Sequence, residues 1–373
     1  MSAPMTAMAH VQPPVGHGPR LNVDLAAIAA NTRLFAERTP GALMAVVKAD
    51  GFGHGAADVA RTALGNGASW LGVTNIDEAI ALRRAGLRVP TLSWLNPLDA
   101  DFGAAIASGI DLAVPGRDHL EAITRSGIGA RIHLQLDTGM ARDGAAPEDW
   151  AGLCRIARRA ERAGTVRVIG VMGHLGCADE PDDPDNSAGR ARFDWGVARA
   201  REAGLRPPLR HLAATAATLT DPLSHHTLSR VGAGLVGIDP SRTTLLQPAM
   251  TLTAPVVGLR RVRAGTPVGY GHDWSASRRT HLALLPLGYA DGLPRATGGR
   301  AEVLLRGRRC PVVGRISMDQ VVVDVGDDPP ALGDTAVVFG PGGRGEPTVA
   351  EWAAWADTIE HEIVTGIGSR VGR

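Results

Sequence analysis

The chain has 373 residues, enough to bury a large core and to form more than one domain. Lysine plus arginine number 39 and aspartate plus glutamate 38, a formal net charge of +1 with the signs interspersed, which excludes the one-signed field that recruits nucleic acid or an anionic membrane. The three cysteines, Cys154, Cys177 and Cys310, match no zinc-ligand spacing and exclude a disulfide framework, pointing to a reducing, cytoplasmic setting for a small-molecule enzyme.

Residues 1–19 lack a basic segment followed by a continuous apolar stretch, and no uncharged run reaches membrane-spanning length, so this stretch reads as a mobile tail. Residues 20–245 alternate short apolar runs with amphipathic stretches. The runs are ALMAVV, SWLGVT, VPTLSWL, DLAVP, ARIHLQL, VRVIGVM, LRHLA and TLSRV; the stretches between them include AADVARTALGNG, IDEAIALRRAG and DWAGLCRIARRAERAG. Eight strand–helix repeats predict a closed (β/α)8 TIM-type barrel, with a doubly wound open sheet as the alternative. Residues 246–373 turn to β-rich runs punctuated by glycine and proline, such as HLALLPLGY, AEVLLRGRRCPVVGRI and QVVVDV, and predict a smaller, mostly β C-terminal domain with a short helix or two near its end. The acidic stretch Asp179–Asp185 lacks calcium-loop spacing, and the His225–His226 pair lacks a third ligand; both read as surface, and no metal site is expected.

All the basic residues but one are arginine. The single lysine, Lys48, closes the first apolar run in AVVKADGFGHG, and only two tyrosines survive, Tyr270 in VGYG and Tyr289 in LGYADG. A lysine amine, unlike a guanidinium, can lose its proton and attack a carbonyl. Barrels of this type build their sites at the C-terminal strand ends, and the polar candidates fall there: Lys48 after the first strand, Arg142 after the fifth, His174 after the sixth, His211 and Thr215 after the seventh, and Arg230 with Gly232, Ala233 and Gly234 after the eighth. The loops after the last two strands offer the Thr215 hydroxyl and the backbone amides of RVGAG to a phosphate. A phosphate-bearing cofactor near a lysine points to pyridoxal 5'-phosphate.

The motifs AVVKADGFGHG, LDTGMAR, VMGHLG, RHLAAT, SRVGAG, VGYG, LGYADG and GRISMDQ, in this order, resemble the alanine racemases over residues 20–373. The resemblance implies a pyridoxal-phosphate barrel with a β-domain, a homodimer whose sites are shared between subunits, and racemisation of L- and D-alanine with a place in cell-wall supply. It assigns Lys48 and Tyr270, the latter from the neighbouring subunit, as the two acid/base groups on opposite faces of the substrate carbanion. Arg142 and the Met318 amide would hold the substrate carboxylate, Arg230 would face the pyridine nitrogen, His174 would lie against the ring and His211 would orient Arg230. Tyr289, Asp179, Arg295 and Arg315 would line the corridor by which substrate enters, and Asp319 would orient neighbours of the site.

Several positions depart from the family pattern. Gln135 stands where a carbamylated lysine often steadies the substrate arginine, so Arg142 needs another support. Phe52 and Val236 stand where tyrosines are usual, and Ser369 is aligned with a C-terminal tyrosine that touches the phosphate. The alternatives are a racemase of another small amino acid such as serine, a decarboxylase, aldolase or non-catalytic cofactor carrier of the same barrel, and, more distantly, an NAD-dependent dehydrogenase. That last reading rests on GFGHGA as a dinucleotide turn with Asp77 and Glu78 following it.

Overall fold

The computed structural model describes residues 18–373; the expected tail, residues 1–19, lies almost wholly outside them. After a short strand β1 (Arg20–Val23), the eight predicted strands form in order: β2 (Ala42–Val46), β3 (Trp70–Val73), β4 (Thr91–Ser93), β5 (Asp111–Val114), β6 (Ala130–Gln135), β7 (Val166–Met172), β8 (Leu209–His211) and β9 (Leu228–Val231). They make one parallel sheet in the order β8-β7-β6-β5-β4-β3-β2-β9. Thr227 N donates to Arg210 O (3.1 Å) and Arg230 N to Ala213 O (3.0 Å), which stitches β8 to β9 and brings the sheet to near closure. Helices cover the outer face, so β4, β5 and β9 are buried along their whole length, as parallel strands are.

The helices follow their caps. Asp24 caps the helix Leu25–Arg38, Asn75 caps Ile76–Arg84, and Asp101 caps Phe102–Ala107, each side chain accepting from amides of the first turn. The acidic stretch is partly helical, because Asp183 caps a helix that starts at Pro184. His225, expected at the surface, is buried, its Nε2 3.0 Å from Thr218 O.

The β-rich unit holds an eight-stranded sheet in the order β1-β10-β18-β15-β16-β17-β14-β11, with β10 at Met250–Pro255, β11 at Gly258–Val262, β14 at Thr280–Leu285, β15 at Glu302–Leu305, β16 at Arg308–Val313, β17 at Val321–Gly326 and β18 at Thr335–Phe339. A separate hairpin pairs β12 (Pro267–Val268) with β13 (Trp274–Ser275). Every pairing from β10 to β11 is antiparallel. Strands β10 and β17 alternate buried with half-buried residues, so one face carries the core.

Neither compact unit is a single continuous segment. The barrel unit comprises Val23–Met250 and Thr358–Gly366, and the β-rich unit takes the strand before it, Thr251–Asp357 and Ile367–Arg373. Two local features mark these crossings. Leu21 N donates to Gly372 O (2.8 Å), tying the first strand to the last residues, and Asp357, in the left-handed region (φ 57°), ends the helix Val349–Ala356 before the helix Glu360–Gly366 begins. No helix among the described residues is long and apolar enough to cross a membrane.

Candidate active site

A cavity of about 630 Å³ opens at the C-terminal ends of the barrel strands, and its walls include Lys48, Gln135, Arg142, His174, Thr215, Arg230, Gly232 and Ala233, with Asp179 also at its wall. Most of the barrel-borne residues singled out from sequence therefore converge; His211 lies behind the wall, fully buried, and Gly234 and Val236 are not at the wall.

Lys48 enters the cavity from an unusual turn. Ala49, Asp50, Gly51 and Phe52 all sit in the left-handed region, with φ between 51° and 62°. For residues other than glycine this conformation costs about 1–2 kcal/mol each, so the surroundings must hold it in place. Glu78 does so, its carboxylate accepting from Ala49 N (2.8 Å) and from Thr74 N (2.7 Å), while Gly51 N closes onto Val47 O at 2.9 Å. Glu78 is thus engaged with backbone amides, and the GFGHGA segment is a left-handed turn; neither suits ribose and pyrophosphate recognition. The Lys48 amine takes no hydrogen bond or ion pair among the described residues, and burial, with Arg142 adding to it and Glu78 opposing, pushes its pKa below the usual lysine value. Its surroundings shift it toward the neutral form relative to an exposed lysine.

Arg230 projects from β9 and is fully enclosed. Its guanidinium donates to His211 O (2.7 Å), Gly173 O (2.7 Å) and Leu212 O (3.2 Å), and lies 3.0 Å from His211 Nδ1 and 3.3 Å from His174 Nδ1. Burial pulls it down to about 10, still protonated at neutral pH. Because arginine only donates, both Nδ1 atoms must accept. His211 then carries its proton on Nε2 and donates to His133 Nδ1 (2.8 Å), and His133 donates from Nε2 to Asp111 Oδ2 (3.3 Å), whose carboxylate is held by Arg131 Nη2 at 3.0 Å. The direction of every proton in this line is set by the guanidinium at one end and the carboxylate at the other. His174 is driven to about 3 by burial and then by Arg230, Arg142 and Lys48, and burial next to Arg230 drives His211 well below its ordinary value, so both rings are neutral.

The line depends on Gly170 in β7, where a Cβ would stand 2.1 Å from His133 Nδ1. Gly170→Ala is therefore expected to displace the His133 ring and cost about 1–3 kcal/mol of stability. Thermal denaturation of the purified variant measures it; an unchanged midpoint would mean that the ring can shift at no cost.

At another part of the wall, Thr215 Oγ1 accepts from Gly234 N (3.2 Å) and Gly232 N (3.4 Å). A Cβ at Gly232 would lie 2.7 Å from the Phe52 ring, and one at Gly234 2.4 Å from the Phe35 ring, so the two glycines let this turn press against aromatic neighbours. Val236 is buried in the core that follows.

Gln135 ends β6, and its Nε2 donates to Asp143 Oδ2 at 3.1 Å, while its Oε1 is buried with no partner among the described residues. Arg142 rides the loop between them. Asp137 Oδ1 accepts from the amides of Gly139 (2.8 Å), Met140 (3.0 Å) and Ala141 (3.2 Å), and Asp143 Oδ1 from Gly144 N (2.8 Å). The other support that Arg142 requires is thus a backbone loop pinned by two aspartates, one of them tethered to Gln135.

The remaining expected residues lie in the β-rich unit. Tyr270 opens a turn flanked by Gly269 (φ 74°) and Gly271 (φ 76°) and is 71% exposed. The Arg315 guanidinium runs beneath that turn, 2.7 Å from where a Gly271 Cβ would be, and pairs with Asp273 (3.1 Å). Tyr289 N and Ala290 N donate to Ser317 O and Met318 O, both at 3.0 Å, which brings Tyr289 beside Met318; both side chains are exposed. Arg295 is exposed in a nearby turn, a Gly298 Cβ there lying 3.2 Å from Arg315 Cα. Asp319 pairs with Arg370 (2.7 Å), which also reaches Asp291 (3.2 Å), a structural bracket across the chain's end. Ser369 is exposed in this unit. The side chain from the C-terminal region that lines the barrel cavity is instead His361, from the helix Glu360–Gly366.

A parallel (β/α)8 barrel with a neutral-prone lysine, a carboxylate-free buried arginine and a glycine-threonine turn in one cavity, followed by an antiparallel β-domain, defines the class of protein. Residues 23–240 match the family described as alanine racemase, N-terminal domain, and residues 249–373 the alanine racemase C-terminal domain. The chain belongs to the alanine racemase family. It is 47% identical over 359 residues to the alanine racemase of Thermobifida fusca, covering 94% of this chain and 96% of that one. With the alanine racemase of Mycobacterium tuberculosis (strain H37Rv) it shares 46% identity over 361 residues, 94% of each. Among solved structures, the alanine racemase of D-cycloserine-producing Streptomyces lavendulae superposes with a TM-score of 0.93 at 43% identity, covering 96% of this chain and 97% of that one.

Proposed function

We propose that the protein is a pyridoxal-phosphate-dependent racemase interconverting L- and D-alanine, acting in the cytoplasm as a homodimer. The observation that carries this is the Lys48 amine, half-buried at the barrel mouth with no ion pair among the described residues and depressed below the usual lysine value. The cavity fits the cofactor: Lys48 for its carbonyl, Arg230 for its ring nitrogen, His174 for its ring, and Thr215 with the amides of Gly232 and Ala233 for its phosphate. When bound, the cofactor supplies an electron-withdrawing ring that acidifies the hydrogen on the substrate's α-carbon.

The chain's own groups do the rest. Arg142 binds the substrate carboxylate with the planar fork of its guanidinium, aided by the amide of Met318 of the partner subunit. Lys48 Nζ, whose neutral form burial favours, takes or returns the α-proton on one face. Tyr270 of the partner subunit serves the opposite face with its phenol, as two-sided proton traffic requires. The 71% exposure of Tyr270, on a turn held open by two glycines, supports a role on a surface that another subunit covers. Arg230 stays a donor because its protonated guanidinium has no acceptor atom, and it offers the ring nitrogen no carboxylate to stabilise a proton there. His174 and His211, both neutral, keep added positive charge out of the cavity.

The purified protein is expected to absorb in the near-ultraviolet or visible as a lysine-bound carbonyl cofactor, and to lose that band on borohydride reduction with mass added at Lys48. A colourless protein that takes up no pyridoxal phosphate would remove this reading.

A further inference from the structure

His361 has no part in the chemistry described so far, yet it lines the same cavity as Lys48, Thr215, Gly232 and Ala233. It is half-buried, and its Nδ1 is buried without a hydrogen-bond partner among the described residues. A buried polar nitrogen left without a partner is costly, and such a nitrogen on a cavity-lining ring marks a place where a bound group could complete it. Its neighbours indicate where. The Phe52 ring packs against it, centroids 6.1 Å apart and tilted by 56°, and the same Phe52 ring sits 2.7 Å from the place a Gly232 Cβ would occupy. Phe52 is therefore a spacer between His361 and the Thr215–Gly234 turn, and it has no polar atom to give. Burial, with Lys48 adding to it and Glu360 opposing, holds the imidazole below its ordinary pKa, so near neutral pH it carries one N–H to donate and no charge that Lys48 would repel.

We propose that His361 is a hydrogen-bond donor to the phosphate of the bound cofactor, completing an anion site that Phe52 leaves short of polar groups. This rests on the pyridoxal-phosphate reading above. Full-length protein freed of cofactor is titrated with pyridoxal phosphate and, separately, with pyridoxal, which keeps the carbonyl and lacks the phosphate; wild type, His361→Ala and His361→Gln are compared. His361→Ala is expected to weaken pyridoxal phosphate about ten- to a hundredfold while pyridoxal changes by less than about threefold, as loss of one hydrogen bond to a charged group predicts. His361→Gln, which retains a donor, recovers part of the loss. Equal weakening of both ligands, or no weakening of either, overturns the assignment of His361. A wild-type protein that binds neither ligand fails the cofactor reading itself, a result distinct from the first two.

Discussion

Lys48→Arg is expected to lower alanine racemisation by at least about 10⁴-fold and to leave no band that borohydride can reduce. The substitution keeps a cation of similar reach, so a loss isolates the amine's chemistry from its charge: a guanidinium stays protonated and does not attack a carbonyl. The walls around Lys48 favour the neutral form, through burial first and Arg142 second. That preference carries a linkage signature in the cofactor-free protein. Between the lowered folded value and the ordinary value near 10.5 the unfolded chain holds the extra proton, so stability rises with pH across that window. Lys48→Met should flatten the rise. Racemisation by Lys48→Arg at the wild-type rate would remove the lysine from the mechanism.

Tyr270→Phe is the second large effect, a fall of about 10²–10⁴-fold in racemisation, the range for loss of one positioned acid or base. Its decisive readout is isotopic. In deuterated water the variant should still wash out the α-hydrogen of one alanine enantiomer, because Lys48 serves that face alone, and should fail with the other. The turn carrying Tyr270 does not need the hydroxyl for its fold, since the side chain is 71% exposed and Gly269 and Gly271 make the reversal. Exchange of both enantiomers at equal rates would exclude Tyr270 as the second group.

The barrel was legible because eight buried parallel strands read as apolar runs of the right length, and Lys48, Arg142, His174, Thr215 and Arg230 fall where those runs end. What escaped has physical reasons. Strand β1 is four residues long and has no pattern of its own; its place in the sheet comes from pairing with distant chain. The helix Glu360–Gly366, with His361, belongs to the barrel unit, and no local signal announces that the chain has crossed back, which is why Ser369 was aligned with a cavity it does not line. Asp111 and His133 did leave a trace: Asp111 opens the apolar strand DLAV and His133 lies within ARIHLQ, and both are fully enclosed. Such residues survive in a core when they bond to each other. Glu78 gave a misleading trace, since an acid beyond a glycine-rich turn fits ribose recognition as readily as clamping two amides. The departures Gln135 and Phe52 are answered locally, the first by tethering Asp143 and the second by packing on His361.

The left-handed reversal at Ala49–Phe52 also constrains how far Lys48 can travel. The Glu78 carboxylate anchors the Ala49 amide at the root of the side chain and the Thr74 amide beside it, and the four residues after Lys48 are held in the left-handed region. On the proposed chemistry, any swing of the nitrogen between cofactor and substrate would fall to the four side-chain torsions, with the main chain as a hinge-post. Loosening that post at Glu78 would blur the amine's reach without touching the amine.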